Sequence, residues 1–364
     1  MLNQYSRLEF VLGPDALVTL RTKRVAIFGI GGVGGSVVEA LARCGVGTID
    51  LIDDDKICLT NINRQVLATR RTVGKYKVDV AEERIHDIDP TIVVNKYKMF
   101  YLPDKELVKK PAAEKTAGEM EEAAESAPAQ AKAGLPDGGG ESTGVSAQSE
   151  GVHDGTAAEQ TAPLTERVAE ELAAAGQEAA VPDMLDFAKW DYVVDAIDTV
   201  TGKLGIILEA QRVGVPVISC MGCGNHLDPT KLTVCDIYET KTDPLARVMR
   251  YELRKRGVKQ LTVVYSTEPA IRPMDVDNSC LYHCICPPGT TRRCTERRDI
   301  PGSTAFVPPA AGMIAASVIV RELTDFDPGD RVKGGRKNPK TQKIRENQKR
   351  QRERQREKQD NQRN

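Results

Sequence analysis

"RVAIFGIGGVGGSVVEAL", residues 24–41, decides the fold. Its first five residues form an apolar run of the kind that makes a strand buried on both faces, and "GSVVEALARCGV" carries the spacing of a helix with one apolar side. Between them, "GIGGVG" (29–34) puts glycines where the strand turns into the helix. Gly29 permits the tight turn, Gly31 and Gly32 let backbone N–H groups approach a phosphate, and Gly34 allows close packing. The helix N-terminus then faces the anion. Strand, glycine turn and helix in that order open a nucleotide-binding α/β sheet.

Working outward, "TIDLID" (48–53) predicts a second strand, "KVDVAEERIHDID" a long helix and "TIVVNKY" (91–97) a third strand. "WDYVVDAIDT" (190–199), a helix over about 201–213 and "VPVISC" (215–220) continue the alternation. Shorter β-like runs, "KLTVCDI" and "LTVVYST", flank a basic helix, "DPLARVMRYELRKRG". The expected fold is α/β and Rossmann-like: a mainly parallel sheet flanked by helices, with a smaller antiparallel extension in the C-terminal half. Two short N-terminal helical patterns precede it, and "PGSTAFVPPAAGMIAASVIVREL" supplies a last helix.

The formal net charge of the 364 residues is −1, an average over unlike segments. Residues 108–183 carry 5 basic and 15 acidic side chains, and residues 331–364 carry 14 basic and 4 acidic. The acidic stretch is rich in Ala, Glu, Gly and Ser and contains no aromatic residue, so it buries too little apolar surface to offset its ordering entropy. It reads as a disordered insertion in one domain formed by 1–107 and 184–326, with a basic tail over 327–364. No secretory pattern opens the chain and no apolar run approaches the ~20 residues of a bilayer span. Nine cysteines then read as reduced thiols or metal ligands. A cytoplasmic protein without membrane or DNA partners is expected.

The glycine turn alone fits a dinucleotide-binding dehydrogenase as well. Asp53, nineteen residues beyond Gly34, closes the second strand where a carboxylate meets ribose hydroxyls. A dehydrogenase, however, holds a pyrophosphate that does not react. Here "LTNINRQVL" (59–67) brings Arg64, and "VGKYK" brings Lys77. Two cations beside the turn suit a triphosphate attacked at its α-phosphorus, where negative charge grows on phosphorus and on departing pyrophosphate. Asp198, at the end of "VVDAID", is placed to hold Mg²⁺. The set favours ATP over NAD.

"GIGGVG", "DDD" followed by "LTNINRQ", "VGKYK" and "DAIDT" together resemble the ATP-binding motifs of the ubiquitin-activating and sulfur-carrier adenylyltransferase (ThiF-like) superfamily. The resemblance implies that Asp53 binds ribose, with Asp55 and Gln65 in the same nucleotide site. It further implies that Asn61 and Arg64 contact phosphates, Lys77 assists at the α-phosphate and Asp198 holds Mg²⁺. Arg7, in "YSRLEFVLG", is similar to the arginine that family homodimers insert into the neighbouring subunit's site. "ARCGVGTIDLID", "MGCGNHLDPTKLTV", "DPLARVMRYELR" and "VVYSTE" resemble one branch, the tRNA threonylcarbamoyladenosine dehydratases. That branch implies a tRNA substrate whose carboxylate is activated by ATP and then closed into a ring with net loss of water. The rival within the superfamily is an adenylyltransferase acting on the C-terminus of a sulfur-carrier or ubiquitin-like protein. A sulfur-relay protein partner is an expectation of the same resemblance. A scaffold or RNA-binding protein on a nucleotide-binding fold is the non-enzymatic rival, opposed by the complete Arg64, Lys77 and Asp198 set.

Cys220 and Cys223 flank a glycine turn directly after a strand, which points to packing rather than zinc. "CLYHCICPPGTTRRC" holds Cys280, Cys284, Cys286 and Cys294 with His283, dense enough for zinc or another metal but without a standard ligand spacing. Both readings of that loop stay open.

Overall fold

The computed structural model describes residues 2–108, 185–274, 285–288 and 301–327. Seven strands form one sheet: β1 (Arg24–Phe28), β2 (Thr48–Ile52), β3 (Val93–Tyr97), β4 (Tyr192–Asp195), β5 (Val217–Cys220), β6 (Leu232–Asp236) and β7 (Thr262–Ser266). Their order is β3-β2-β1-β4-β5-β7-β6. Every pairing is parallel except β6 with β7, so the antiparallel extension is a single edge strand. Strand order reverses between β1 and β4, and ligands of open α/β sheets bind beyond the carboxyl ends of the strands at that point. Phe28, the last residue of β1, lies opposite Ile52 on one side and Asp195 on the other. Both neighbouring strands therefore end level with the glycine turn.

Eight helices accompany the sheet among the described residues: α1 (Ser6–Leu12), α2 (Pro14–Arg21), α3 (Gly32–Arg43), α4 (Lys77–Ile88), α5 (Lys105–Val108), α6 (Val200–Val213), α7 (Pro244–Lys255) and α8 (Val307–Leu323). The apolar run of β1 serves two cores at once. Val25 and Ile27 join the cluster under α3 and α8, while Ala26 and Phe28 join an aromatic cluster with Tyr101, Phe187 and Trp190 on the other face. Alternation between two buried faces is why β1 reads as continuously apolar. Each fully buried Ile or Phe contributes about 1.5–3 kcal/mol relative to exposure. Gly312 lets α8 come down on α3, since a Cβ there would lie 2.3 Å from the Val33 carbonyl oxygen.

α1 and α2 sit at the opposite edge of the sheet from the glycine turn. Tyr5, just before α1, packs on Gly45 in the α3–β2 connection and donates its hydroxyl to Asp89 Oδ2 at 2.5 Å. Arg21 pairs with the same carboxylate. Among the described residues, no helix is long and apolar enough to cross a membrane. Nearly all of the acidic segment 108–183 and of the basic tail 327–364 lies outside the described residues.

Candidate active site

The glycines of the turn serve different ends. Gly29 has a φ of +86°, and a Cβ there would meet the Ala196 carbonyl oxygen at 2.7 Å. A Cβ on Gly34 would lie 1.8 Å from the Gly29 oxygen, so α3 seats on β1 only with glycine there. Gly32 faces Pro308 at 3.0 Å and the Arg64 carbonyl at 3.3 Å, a packing requirement beyond the phosphate approach its sequence position predicts. Gly31 differs: a Cβ there would meet only Gln65 Nε2, at 3.8 Å. Its open side belongs to a cavity of about 730 Å³ at the carboxyl edge of the sheet. That volume suits a small-molecule site.

Asp53, one residue past β2, ties the acidic lip to the turn. Its Oδ2 accepts from the Ile30 N–H at 2.6 Å and its Oδ1 from the Asp55 N–H at 2.8 Å. Lys77 is the first residue of α4, and it is 6 % exposed. Its Nζ lies 2.6 Å from Asp55 and 3.5 Å from Asp53. Burial on its own would discharge this lysine; the carboxylates of Asp53, Asp55 and Asp198 outweigh burial and raise its pKa. The ammonium is thus held charged on the cavity wall. Carboxylate oxygens of Asp53, Asp54 and Asp55 lie within 4.8 Å of one another beside it.

The loop after β2 builds the next wall. A 3₁₀ turn over Leu59–Asn61 is closed by Asn61 Oδ1, which accepts from the Cys58 N–H at 3.0 Å, and the Asn61 carbonyl accepts from the Gln65 N–H at 2.9 Å. Asn61 therefore shapes the loop as well as lining the cavity. Arg64 donates from Nη1 to the Thr60 carbonyl at 3.0 Å and to Asn63 Oδ1 at 2.9 Å, which holds the guanidinium at the rim. Gln65 is buried under it.

Asp198 stands exposed at the turn between β4 and α6, also on the cavity lining. Behind it lies a polar network centred on Asp195, the first residue of the "DAIDT" segment. Lys203, fully buried on α6, donates to Asp195 Oδ2 at 3.1 Å and to the Cys220 carbonyl at 2.6 Å. Ser219 donates to the same Asp195 oxygen at 2.5 Å. These bonds fix the ends of β4 and β5 relative to each other. Cys220 and Cys223 are not thiolates: burial pushes both thiols up, Cys223 to about 12. The Cys223 thiol donates to the Met221 carbonyl at 3.7 Å. Asp243 accepts from the Gly222 N–H at 3.1 Å and caps α7 through Ala246 N–H at 2.9 Å. His226, 3 % exposed, makes a 3.0 Å contact from Nε2 to the Glu268 carbonyl. A carbonyl only accepts, so Nε2 carries the proton.

The cavity thus gathers Gly29, Gly31, Gly32, Asp53, Asp55, Asn61, Arg64, Gln65, Lys77 and Asp198. Gly34 lies beneath it as a packing position. Arg7 is not among them: it is exposed on α1, at the far edge of the sheet. Of the cysteine-rich loop, Cys286 lines the cavity, whereas Cys280, Cys284 and Cys294 lie outside the described residues. Lys203, His226 and Asp243 escape sequence reasoning. The available signal for Lys203 was a lone charge inside the apolar pattern of α6, and for Asp243 an aspartate before proline at a helix start.

Residues 2–114 match the ThiF family model. The tRNA threonylcarbamoyladenosine dehydratase of Bacillus subtilis is 32% identical over 325 residues, covering 89% of this chain and 95% of that protein. The Haemophilus influenzae enzyme of the same name is 28% identical over 318 residues, 85% of this chain and 89% of that protein. Among solved structures, the Escherichia coli tRNA N6-threonylcarbamoyladenosine dehydratase in complex with ATP superposes with a TM-score of 0.55 at 24% identity. That match covers 88% of this chain and 94% of that one, a likeness of fold. The chain belongs to the ThiF family and, within it, to the tRNA threonylcarbamoyladenosine dehydratases.

Proposed function

We propose that this protein catalyses the ATP-dependent cyclodehydration of threonylcarbamoyladenosine in tRNA, next to the anticodon. The observation that carries the reading is Lys77: an ammonium 6 % exposed, kept charged by two carboxylates, on the wall of the cavity into which Gly31 opens. A carboxylate is a poor electrophile until one of its oxygens becomes part of a good leaving group. The substrate carboxylate attacks the α-phosphorus of ATP and pyrophosphate departs. The ureido group of the same nucleoside then closes on the activated carbonyl, AMP leaves with the former carboxylate oxygen, and a proton is released. Water is lost overall as ATP becomes AMP and pyrophosphate.

The chain's own groups divide this work. Backbone N–H groups at the start of α3 take phosphate charge. Asp53 meets the ribose hydroxyls; the Ile30 and Asp55 bonds fix its orientation. Lys77 and Arg64 stabilise charge growing at the α-phosphate and on pyrophosphate, worth about 2.7–4 kcal/mol for one preorganised donor. Asp198 offers the hard oxygen ligand that Mg²⁺ takes. When bound, that ion would neutralise phosphate charge.

Arg7 completes the site of a second copy in a homodimer. It is remote from its own cavity, and the exposed apolar side chains Phe10 and Val11 follow it at i+3 and i+4 on α1. Mixing Arg7→Ala with Lys77→Ala subunits restores activity under this arrangement, because one site of the mixed dimer then has both residues. The primary test incubates the protein with ATP and tRNA carrying threonylcarbamoyladenosine, followed by mass spectrometry of the nucleosides. Loss of one water from that nucleoside with matching AMP is expected; unchanged nucleoside refutes the reading.

A further inference from the structure

α7 leaves the cavity wall as a charged rail. Asp243, Pro244 and Leu245 line the cavity, and the helix then runs outward for twelve residues, about 18 Å. Its inner face is Ala246, Met249 and Leu253, each fully buried. Its outer face is Arg247, Tyr251 and Arg254, all exposed, at the i, i+4, i+7 spacing of one helix side. Tyr251 is 54 % exposed at the centre of that face, with Lys255 Nζ 3.5 Å from its ring centroid. Exposed Lys259 follows just beyond the helix end.

Charge on this face is not balanced by the helix itself. Glu252 is the one acid in α7, and it is 3 % exposed and paired with Arg256 at 2.5 Å. Arg250 turns inward to the Thr240 carbonyl at 2.7 Å. Arg247 with Arg250, and Arg250 with Arg254, are like charges at i, i+3 and i, i+4. Each such pair costs an isolated helix about 0.2–0.5 kcal/mol. Tyr251 in turn exposes more than half of a large ring. Arg254 rests over the Tyr238 ring at 5.1 Å and Lys255 over one face of Tyr251, yet neither contact neutralises the charge of this face or covers the rest of the Tyr251 ring; a polyanion with unpaired bases would do both.

We propose that the outer face of α7 seats the RNA strand that brings the substrate nucleoside to the cavity. Arg247 and Arg254 contact phosphates, and Tyr251 stacks on an unpaired base, as aromatic side chains do in single-strand and loop recognition. The inference rests on the proposed function for which RNA is bound, while the binding itself is testable without turnover.

The experiment compares the full-length protein with Arg247→Gln/Arg254→Gln and with Tyr251→Ala, after melting curves confirm folding. Anisotropy of a labelled anticodon stem-loop, unmodified and titrated at several salt concentrations, reads binding directly. Each lost phosphate contact should reduce the slope of log K against log[salt] by about 0.7–0.9, so the double variant should lose about 1.4–1.8. Tyr251→Ala should weaken binding roughly 5- to 100-fold with little change of slope. In turnover assays the double variant should raise KM for tRNA more than it lowers kcat, with Mg-ATP affinity as in the parent. Unchanged RNA affinity and slope in the double variant overturn the proposal. So does loss of binding to phosphatidylserine vesicles with RNA binding intact, which would assign the face to lipid. A parent protein that binds the stem-loop through α7 yet never converts the nucleoside would refute the proposed reaction and leave this surface standing.

Discussion

On the β1–β3 side of the cavity, backbone geometry sets the ligand-facing groups. Gly29 and Gly34 let α3 seat on β1, Asp53 is bonded to the Ile30 N–H, and Lys77 is locked against Asp55. On the β5–β7 side the wall is a loop, residues 221–228, held from outside by Asp243, Glu268 and Thr304. His226 presents Nδ1 there with no hydrogen bond among the described residues. The first side is fixed by rigid, short-range devices around the glycine turn, the second by contacts between distant segments.

Substitutions can break this contrast, beginning with the largest effect. Gly34→Ala should prevent a stable fold or cost more than the ~1–3 kcal/mol of ordinary overpacking, because a Cβ 1.8 Å from a backbone oxygen has no flexible neighbour to displace. Gly31→Ala should leave the melting temperature near that of the parent and weaken ATP binding in calorimetry. Equal destabilisation by the two would erase the distinction between packing glycine and cradle glycine.

Lys203→Met comes next. It strands the fully buried Asp195 carboxylate without its cation, a loss of about 3–5 kcal/mol in denaturant unfolding. Adding Asp195→Asn should recover much of it, since no buried charge then remains. Lys77→Ala should lower turnover about 10²–10³-fold, in keeping with loss of one preorganised donor, while ATP affinity falls less. A variant with normal kcat would remove Lys77 from the chemistry.

The smallest effect is one of pH. Burial and the bond to Asp89 push the Tyr5 phenol up to about 12. The unfolded phenol ionises near 10. Its contribution is therefore complete below pH ~10 and is lost as pH rises through about 10–12, because the unfolded chain releases its proton first. Melting temperatures across that window should fall faster for the parent than for Tyr5→Phe. Parallel curves would show that α1 is not anchored through this phenol.

The nucleotide side was legible in the sequence because its determinants are local. Strand, glycines and helix are contiguous in 24–41, and Asp53 sits at the end of the next strand. The strand periodicities likewise located all seven strands to within a few residues, the antiparallel β6–β7 pair included. What stayed hidden depends on contacts between distant segments. Gly32 is closely approached by Pro308 of the last helix, a contact that only the folded chain makes. Lys203 has no visible partner until α6 is laid on the sheet and its Nζ reaches both Asp195 and the Cys220 carbonyl. His226 lies within the segment "MGCGNHLDPTKLTV", but only the approach of Glu268 defines its tautomer.

The central claim is that the cavity joins the substrate carboxylate to the α-phosphate of ATP, and isotope transfer tests it most directly. Threonylcarbamoyladenosine in tRNA, labelled with ¹⁸O in its carboxylate, is converted by the protein with unlabelled ATP, and the nucleotide products are analysed by mass spectrometry. The account predicts one ¹⁸O in AMP and none in pyrophosphate, because ring closure expels the former carboxylate oxygen on the α-phosphorus. Label in inorganic phosphate alongside ADP, or unlabelled AMP from a converted substrate, would contradict it.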